Sequence, residues 1–351
     1  MVKKKYLLIV ALFFFLFSIP ISAESDIPCE WTGIKKIVAV GDIHGDFDNF
    51  VIILKNIGLI NEKLQWTGNQ THLVQTGDIM DRGPDAKKAF DLIKRLEKEA
   101  KQAGGMVHML IGNHEEMNIT GLALRQIDYI TPEQFVSFLP SEYKEEQEKI
   151  FLEELKYHSN DPKKSDPALH KLLLKQWKKV LRQDRKAQSL YLDTFYKNYG
   201  QWIINKNTVI KINDIIFVHG GISSEFSKWK PQDINQRTRK ELLELRKAVE
   251  QSTSPSIELK IVYQDKGPIW YRGLALNDEN DFTDDVDRIL ANLQAKYIVM
   301  AHTVQKGNIN HRFQKKVWII DTGISDYYGG HLEALMIENG QFTIWGENNE
   351  N

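Results

Sequence analysis

Apolar positions in this chain gather into short β-branched runs that do not alternate with polar residues. Lys36 to Val40, His72 to Thr76, Val107 to Ile111, Ile215 to Val218, Tyr297 to Met300 and Val317 to Ile320 are of this kind. Such runs suit strands covered on both faces. Each ends in a polar cluster: Gly41-Asp42-Ile43-His44-Gly45, Gly77-Asp78-Ile79-Met80-Asp81-Arg82-Gly83, Gly112-Asn113-His114-Glu115, His219-Gly220-Gly221, Ala301-His302-Thr303 and Asp321-Thr322-Gly323. In layered α/β folds the carboxyl edge of the sheet is where ligands bind. The strands should therefore deliver all six clusters to one place, with glycines permitting tight turns and close backbone approach.

Helical spacing follows the first two clusters, over Phe47 to Asn56 and Asp85 to Ala103, and returns over Asp233 to Glu250. Asn339-Gly340 between Ala334 to Ile337 and Gln341 to Trp345 is a hairpin signal, and Asn213-Asp214 suggests another. Antiparallel pairs mixed with βα units predict an α/β fold of two mixed β-sheets packed face to face, with helices outside. From about Asn118 to Tyr199 the pattern changes to a helical insertion. Its apolar positions are Leu169, Leu172, Leu173, Trp177, Val180 and Leu181, then Tyr191, Phe195 and Tyr199, with Pro132, Pro140, Pro162 and Pro167 as punctuation. The charged run Glu142 to Lys149 reads as a solvated helix face. The insertion leaves the core just after His114 and returns before His219. It either packs only on the core and itself, or it walls a cleft and touches the substrate.

Lys3 to Lys5, the apolar run Tyr6 to Phe17, Pro20 and a small residue at Ala23 follow the order of a secretory signal peptide. The run is shorter than the ~20 apolar residues of a spanning helix. The expected division is residues 1–23 as signal and 24–351 as one enzyme domain, exported to the periplasm or beyond, with no stable membrane association after cleavage. Cys29 is the single cysteine, so no intrachain disulfide is possible and catalysis through a thiolate is disfavoured. Removing Lys3 to Lys5 leaves 43 cationic against 47 acidic side chains, which gives no footprint for nucleic acid.

Asp42, His44, Asp78, Asn113, His219 and His302 form a mixed oxygen and nitrogen donor set, which suits borderline divalent metals such as Mn, Fe, Zn or Co. Two cations about 3.5–4 Å apart need a shared carboxylate, and Asp78 is the natural bridge. A water or hydroxide between them would be presented in line with a phosphorus atom. Arg82 and Arg272 can fork onto phosphate oxygens. His114 is placed to protonate the leaving oxygen, with Asp81 holding its imidazole.

Gly-Asp-Ile-His-Gly, Gly-Asp-x-x-Asp-Arg-Gly, Gly-Asn-His-Glu, His-Gly-Gly and Ala-His-Thr, in that order, resemble the phosphoprotein phosphatase family of metallophosphoesterases, and hence the calcineurin-like fold. Broader calcineurin-like phosphodiesterases usually lack the Asp-Arg-Gly ending. The resemblance implies that Asp42, His44 and Asp78 bind one metal and that Asp78, Asn113, His219 and His302 bind the other. It also implies His114, Asp81, Arg82 and Arg272 in the roles above, and two divalent ions, manganese foremost, with Fe, Zn, Co or Mg as alternatives. The eukaryotic Ser-Ala-Pro-Asn-Tyr string is absent, and Asp321 to Ser325 followed by Tyr328-Gly329-Gly330 stands in its place. Ala301 replaces the glycine common before His-Thr. With Trp270-Tyr271-Arg272 and the insertion, the chain is similar to the bacterial Shewanella-like phosphatases. The activity so implied is hydrolysis of phosphotyrosine, phosphoserine or phosphothreonine in proteins and peptides. The alternative is hydrolysis of small phosphate esters or dinucleoside polyphosphates.

Overall fold

The central strands are apolar on both faces because two different cores claim them. In the computed structural model Ile37 and Ala39 point into one buried cluster and Val38 and Val40 into another. Ile215 and Phe217 are divided in the same way from Ile216 and Val218, and Val299 from Ile298 and Met300. The first cluster fills the space between two sheets, and the second lies under the outer helices. A strand so placed cannot alternate apolar with polar residues.

The structure describes residues 27–126, 128–158, 167–305 and 307–346; the proposed export segment and Pro162 lie outside them. One sheet contains β1 (Glu30–Trp31), β5 (Val209–Ile212), β6 (Ile215–Val218), β7 (Tyr297–Met300), β8 (Asn310–Arg312) and β9 (Val317–Ile319), in the order β1-β5-β6-β7-β9-β8. The other contains β2 (Lys36–Val40), β3 (His72–Gln75), β4 (Met106–Met109), β10 (Glu333–Glu338) and β11 (Gln341–Gly346), in the order β11-β10-β2-β3-β4. β2, β3 and β4 run parallel, as do β6, β7 and β9, while the hairpins β5-β6 and β10-β11 are antiparallel. Both hairpin turns use left-handed residues, Asn213 at φ 57° and Asn339 at φ 50° followed by Gly340 at φ 80°. The predicted architecture of two mixed sheets with flanking helices is the one observed, and its strand ends move by a residue or two.

The helices are α1 (Phe47–Asn56), α2 (Ala86–Gln102), α3 (Asn113–Thr120), α4 (Pro132–Ser137), α5 (Ser141–His158), α6 (Pro167–Gln183), α7 (Arg185–Phe195), α8 (Gln201–Ile204), α9 (Pro231–Gln251), α10 (Gly273–Leu276) and α11 (Glu279–Asn292). On α2 the buried Ala86, Ala89, Phe90, Ile93, Leu96 and Ala100 form one stripe at helical spacing. Thr131 caps α4 by accepting from Gln134 N, with Pro132 in the first turn. Tyr191 and Phe195 of α7 are buried and stacked on each other, with ring centroids 6.2 Å apart.

Two expectations from the sequence change. Leu172 and Val180 of α6 are 54% and 68% exposed. The inward stripe is Leu173, Trp177 and Leu181, one residue in four, and the two exposed residues fall off that line. Cys29, which its place just after the expected signal segment would put near a loose chain end, is instead buried between the sheets, where its thiol donates to Gln232 Oε1 at 3.2 Å.

Candidate metal centre

The loops leaving β2 and β3 lie backbone on backbone. Ile43 N and His44 N both donate to Asp78 O, at 3.0 and 2.9 Å, and Gly45 N donates to Ile79 O at 2.7 Å. A β-carbon on Gly45 would stand 2.6 Å from the carbonyl carbon of Gly83, and one on Gly112 would collide with Asp78 Oδ1. These glycines let two loops and a helix start occupy the same few ångströms. His44, Asp78, Asp81, Arg82 and His302 have φ of 47°, 55°, 69°, 66° and 64°. Each such non-glycine conformation costs on the order of 1 kcal/mol or more and persists only where its surroundings over-determine it.

Glu115 supplies much of that determination. Its Oε2 accepts from Asp78 N (2.7 Å) and Gly112 N (3.0 Å), and its Oε1 accepts from Ile79 N (2.8 Å). His114 N at the start of α3 donates to Asp78 Oδ1 at 2.9 Å. The loops after β2 and β3 and the first turn of α3 are thereby fixed to one another.

All six predicted ligand positions converge. His44 Nε2 lies 3.8 Å from Asp78 Oδ2 and 3.9 Å from Asp42 Oδ2. His219 Nε2 lies 3.3 Å from Asp78 Oδ2, 2.9 Å from Asn113 Oδ1 and 3.1 Å from His302 Nδ1. His44 Nδ1 faces Met80 O (3.1 Å) and His219 Nδ1 faces Thr76 O (3.0 Å). Backbone carbonyls holding Nδ1–H leave the Nε2 lone pairs facing Asp78, the usual way a ligand imidazole is oriented.

The electrostatics call for cations. Burial pushes the Asp42 carboxyl well up, and Asp321, Asp78 and Glu115 add to the push. Burial with Asp78 lifts Glu115 to about 7, and burial lifts Asp321 to about 6. Burial also raises Asp78, but the facing imidazoles of His219, His114 and His44 outweigh it and hold that carboxyl low. His44 is pushed down to about 3 by burial and then His114, and His302 is driven down by burial, His219 and Arg272. Asp42, Asp321 and Glu115 are thus buried carboxyls short of a counter-charge, and His44 and His302 are imidazoles that resist protonation. Asp42 Oδ1, Asp321 Oδ2 and His302 Nε2 are also buried without a hydrogen-bond partner among the described residues. The triplets His44, Asp78, His114 and Asp78, His219, His302 each bring their ligand atoms within 4.8 Å of one another, with Asp78 common to both. These residues fit a pair of divalent cations.

His114 stands at the rim of this group. Its Nδ1 is 2.7 Å from Asp81 Oδ2, and its Nε2 is 3.9 Å from Asp78 Oδ2. Burial lowers its pKa, but Asp78 and the hydrogen bond to Asp81 win, so the charged form is favoured. Asp81 is itself clamped by the insertion. Gln134 of α4 accepts from Asp81 N and donates to Asp81 Oδ1, both at 2.7 Å, and Asn118 donates to Asp81 Oδ2 at 2.9 Å. Tyr191 of α7 donates to Asn118 Oδ1 at 2.7 Å.

Arg82 and Arg272 lie beside the centre and already have protein partners. Arg82 Nη1 donates to Asp128 O (3.2 Å) and Tyr327 Oη (3.3 Å). Arg272 Nη1 donates to His302 O (2.6 Å) and Thr303 Oγ1 (3.1 Å). Tyr129 packs on both His114 (4.7 Å between centroids) and Arg82 (4.3 Å from Cζ to centroid). Sequence reasoning gave no role to Glu115 or Asp321, although both stand inside quoted clusters, where an acidic residue beside ligand-type residues was a usable signal. Gln134, Asn118, Tyr191 and Tyr129 carried no such signal.

The model for calcineurin-like phosphoesterases matches residues 35–306 of this chain. Shewanella-like protein phosphatase 1 of Plasmodium berghei is 27% identical over 303 residues, 84% of this chain and 68% of that protein. The crystal structure of a cold-active protein-tyrosine phosphatase from a psychrophilic Shewanella species superposes with a TM-score of 0.64 at 27% identity, covering 91% of this chain and 80% of that one. An asymmetrical bis(5'-nucleosyl)-tetraphosphatase of Oceanobacillus iheyensis is 34% identical over only 80 residues, 22% of this chain.

Proposed function

This chain belongs to the calcineurin-like phosphoesterase family, and on that footing we propose that it is a metal-dependent protein phosphatase acting on phosphotyrosine, phosphoserine or phosphothreonine side chains. The observation that carries the reading is the His114–Asp81 pair at 2.7 Å, with His114 Nε2 turned toward Asp78 beside the Asp42 and Asp321 carboxyls, which crowd one another in the buried centre. A proton donor stands next to a cation-deficient pocket, which is the pairing that phosphomonoester cleavage needs.

Asp42, His44 and Asp78 would hold one ion, and Asp78, Asn113, His219 and His302 the other. The mixed donors suit Mn foremost, with Fe, Zn, Co or Mg as alternatives. Such a pair, when bound, supplies Lewis acidity toward phosphoryl oxygens and acidifies water. The rest is the work of the chain. Arg82 and Arg272 turn guanidinium groups toward the phosphoryl oxygens and fix the orientation of that group. His114 delivers a proton from Nε2 to the oxygen of the departing side chain, while Asp81 holds the opposite ring nitrogen and stabilises the imidazolium. Gln134, Asn118 and Tyr191 keep Asp81 in register for that task.

The small-ester alternative draws support from short tetraphosphatase matches that each cover about 22% of this chain, whereas the protein phosphatases align along most of it. Kinetics of the metal-loaded protein on phosphopeptides, sugar phosphates and diadenosine tetraphosphate, with metal analysis of the same sample, test the reading. Preference for phosphopeptides is expected, and a higher kcat/KM for diadenosine tetraphosphate would overturn it. Export through the amino-terminal basic and apolar segment is part of the proposal. It requires a mature protein beginning near Glu24, and intact Met1 in a membrane pellet would refute it.

A further inference from the structure

Between the centre and the insertion lies a groove of about 420 Å³ that the catalytic roles above leave unused. Arg82, the α6 residues Lys179 and Arg182, Tyr327 and Asp128 are among the residues that line it. Three cationic side chains and one carboxylate thus line the groove. The helix that supplies two of them carries Lys171, Lys175, Lys178, Lys179 and Arg182 and no aspartate or glutamate, although the chain as a whole is slightly acidic. Of these, Lys179 and Arg182 reach the groove, while Lys178 pairs with Glu133 of α4 at 3.7 Å.

The groove is continuous with the reacting centre. Tyr129 lies between them, its ring on His114 at 4.7 Å and under Arg82 at 4.3 Å, and its carbonyl accepts from Arg82 N at 2.8 Å. The neighbouring carbonyls fix two of its cations, Asp128 O accepting from Arg82 and Ile130 O from Arg182. Arg82 therefore borders both the site of phosphoryl binding and the groove. A polypeptide whose phosphorylated side chain reaches the centre past Arg82 can lay a neighbouring residue in this opening. A volume of this size admits side chains of a bound peptide, and planar guanidinium groups favour carboxylates.

We propose that the groove receives an acidic side chain flanking the phosphorylated residue, so that the enzyme prefers phosphopeptides with aspartate or glutamate near the phosphate. The proposal rests on the protein-phosphatase reading. Binding there holds the peptide equally in the ground and transition states, so discrimination should appear in KM with kcat little changed. Several partly exposed charge pairs together amount to roughly fivefold or more in kcat/KM, falling with added salt.

The experiment compares one phosphotyrosine peptide flanked by glutamates, alanines or lysines, with the intact metal-loaded protein and with Lys179→Ala and Lys179→Glu. Lys179 is exposed on α6, so these variants should fold; Arg182→Ala, which loses the tie to Ile130 O, is the less safe choice. The expected result is a glutamate-over-lysine preference that shrinks in Lys179→Ala and shrinks further or reverses in Lys179→Glu, through KM. An unmodified enzyme that treats the three peptides alike, or Lys179 variants with an unchanged preference, would overturn the groove assignment while leaving the phosphatase reading intact. Hydrolysis of diadenosine tetraphosphate with no turnover of any phosphopeptide would sink both.

Discussion

Among the described residues two groups of buried histidines lie in this molecule, and they differ in whether they are arranged to hold a cation. His72 of β3 and His108 of β4 sit near the edge where β1 meets β4, with His108 Nε2 3.0 Å from His72 Nδ1 and the Trp31 ring 4.4 Å from His108. They satisfy each other, and the charge that acts on His108 from outside the pair is the lysine Lys206. At the carboxyl edge His44, His219 and His302 surround Asp78, and Asp42 and Asp321 keep oxygens without partners among the described residues. Burial lowers the pKa of His72 and His108 as it does that of His44 and His302. The depressed imidazole is thus common to both groups. What separates them is carboxylate with unused lone pairs, and that is the feature that calls for cations.

Removing the shared carboxylate breaks the comparison most severely. Asp78→Asn deletes the one negative group common to both triplets and should lower metal content and reduce turnover by more than the ~10³-fold typical of losing one electrostatic contact. Metal analysis beside hydrolysis of p-nitrophenyl phosphate is the check, and two bound ions with near-normal turnover would take Asp78 out of the centre.

His114 sharpens the comparison from another side, since it is buried among the ligands without being counted as one. His114→Ala should keep both metals and lose roughly 10²- to 10⁴-fold in rate. The loss should be smaller for p-nitrophenyl phosphate, whose leaving group needs no proton, than for a phosphoserine peptide. A uniform loss across leaving groups would assign His114 to metal binding, in line with its place beside His44 and Asp78.

The centre was legible in the sequence for the reason that made the strands legible. Strands sandwiched between two cores are mostly apolar, so the polar, glycine-bearing cluster after each run marks the carboxyl edge, and six such edges together outline the site. The Asn-Gly and Asn-Asp turns announced the hairpins by their left-handed backbone. Short edge strands were not legible, because β1 and β8 have no apolar run of their own and exist by pairing with β5 and β9. Nor was α3, where every residue from Asn113 to Thr120 is buried and Asn113, His114, Glu115 and Asn118 all serve the site or its supports. Hydrophobic periodicity cannot find a helix buried for its polar groups. The clamp on Asp81 was hidden for a third reason: Gln134, Asn118 and Tyr191 meet it across the insertion, and no pattern along the chain records that meeting.

The smallest effect concerns the histidine pair away from the centre, and it is read in stability. Burial pushes His108 down to about 3 and His72 to about 4, against an ordinary value of 6.5. Above pH 6.5 the folded and unfolded chains both hold these rings neutral, so the pair places no pH dependence on folding. As the pH falls through 6.5 the unfolded chain takes up protons that the folded chain refuses, and stability declines until the folded values are reached. The metal centre also weakens in acid, which confounds any single curve. Comparison with His108→Gln removes that confusion, because the variant keeps every ligand of the centre and loses one of the two refused protons. The unsubstituted chain should be the more stable near neutral pH, where the His108 ring fills the space against Trp31. Its advantage in urea midpoint should shrink as the pH is lowered from about 7 to about 4.5. Turnover at neutral pH should change little between the two. A difference that stays constant across that range would mean the folded protein protonates His108 as readily as the unfolded chain does, and the pair would then not be a neutral, self-satisfied one.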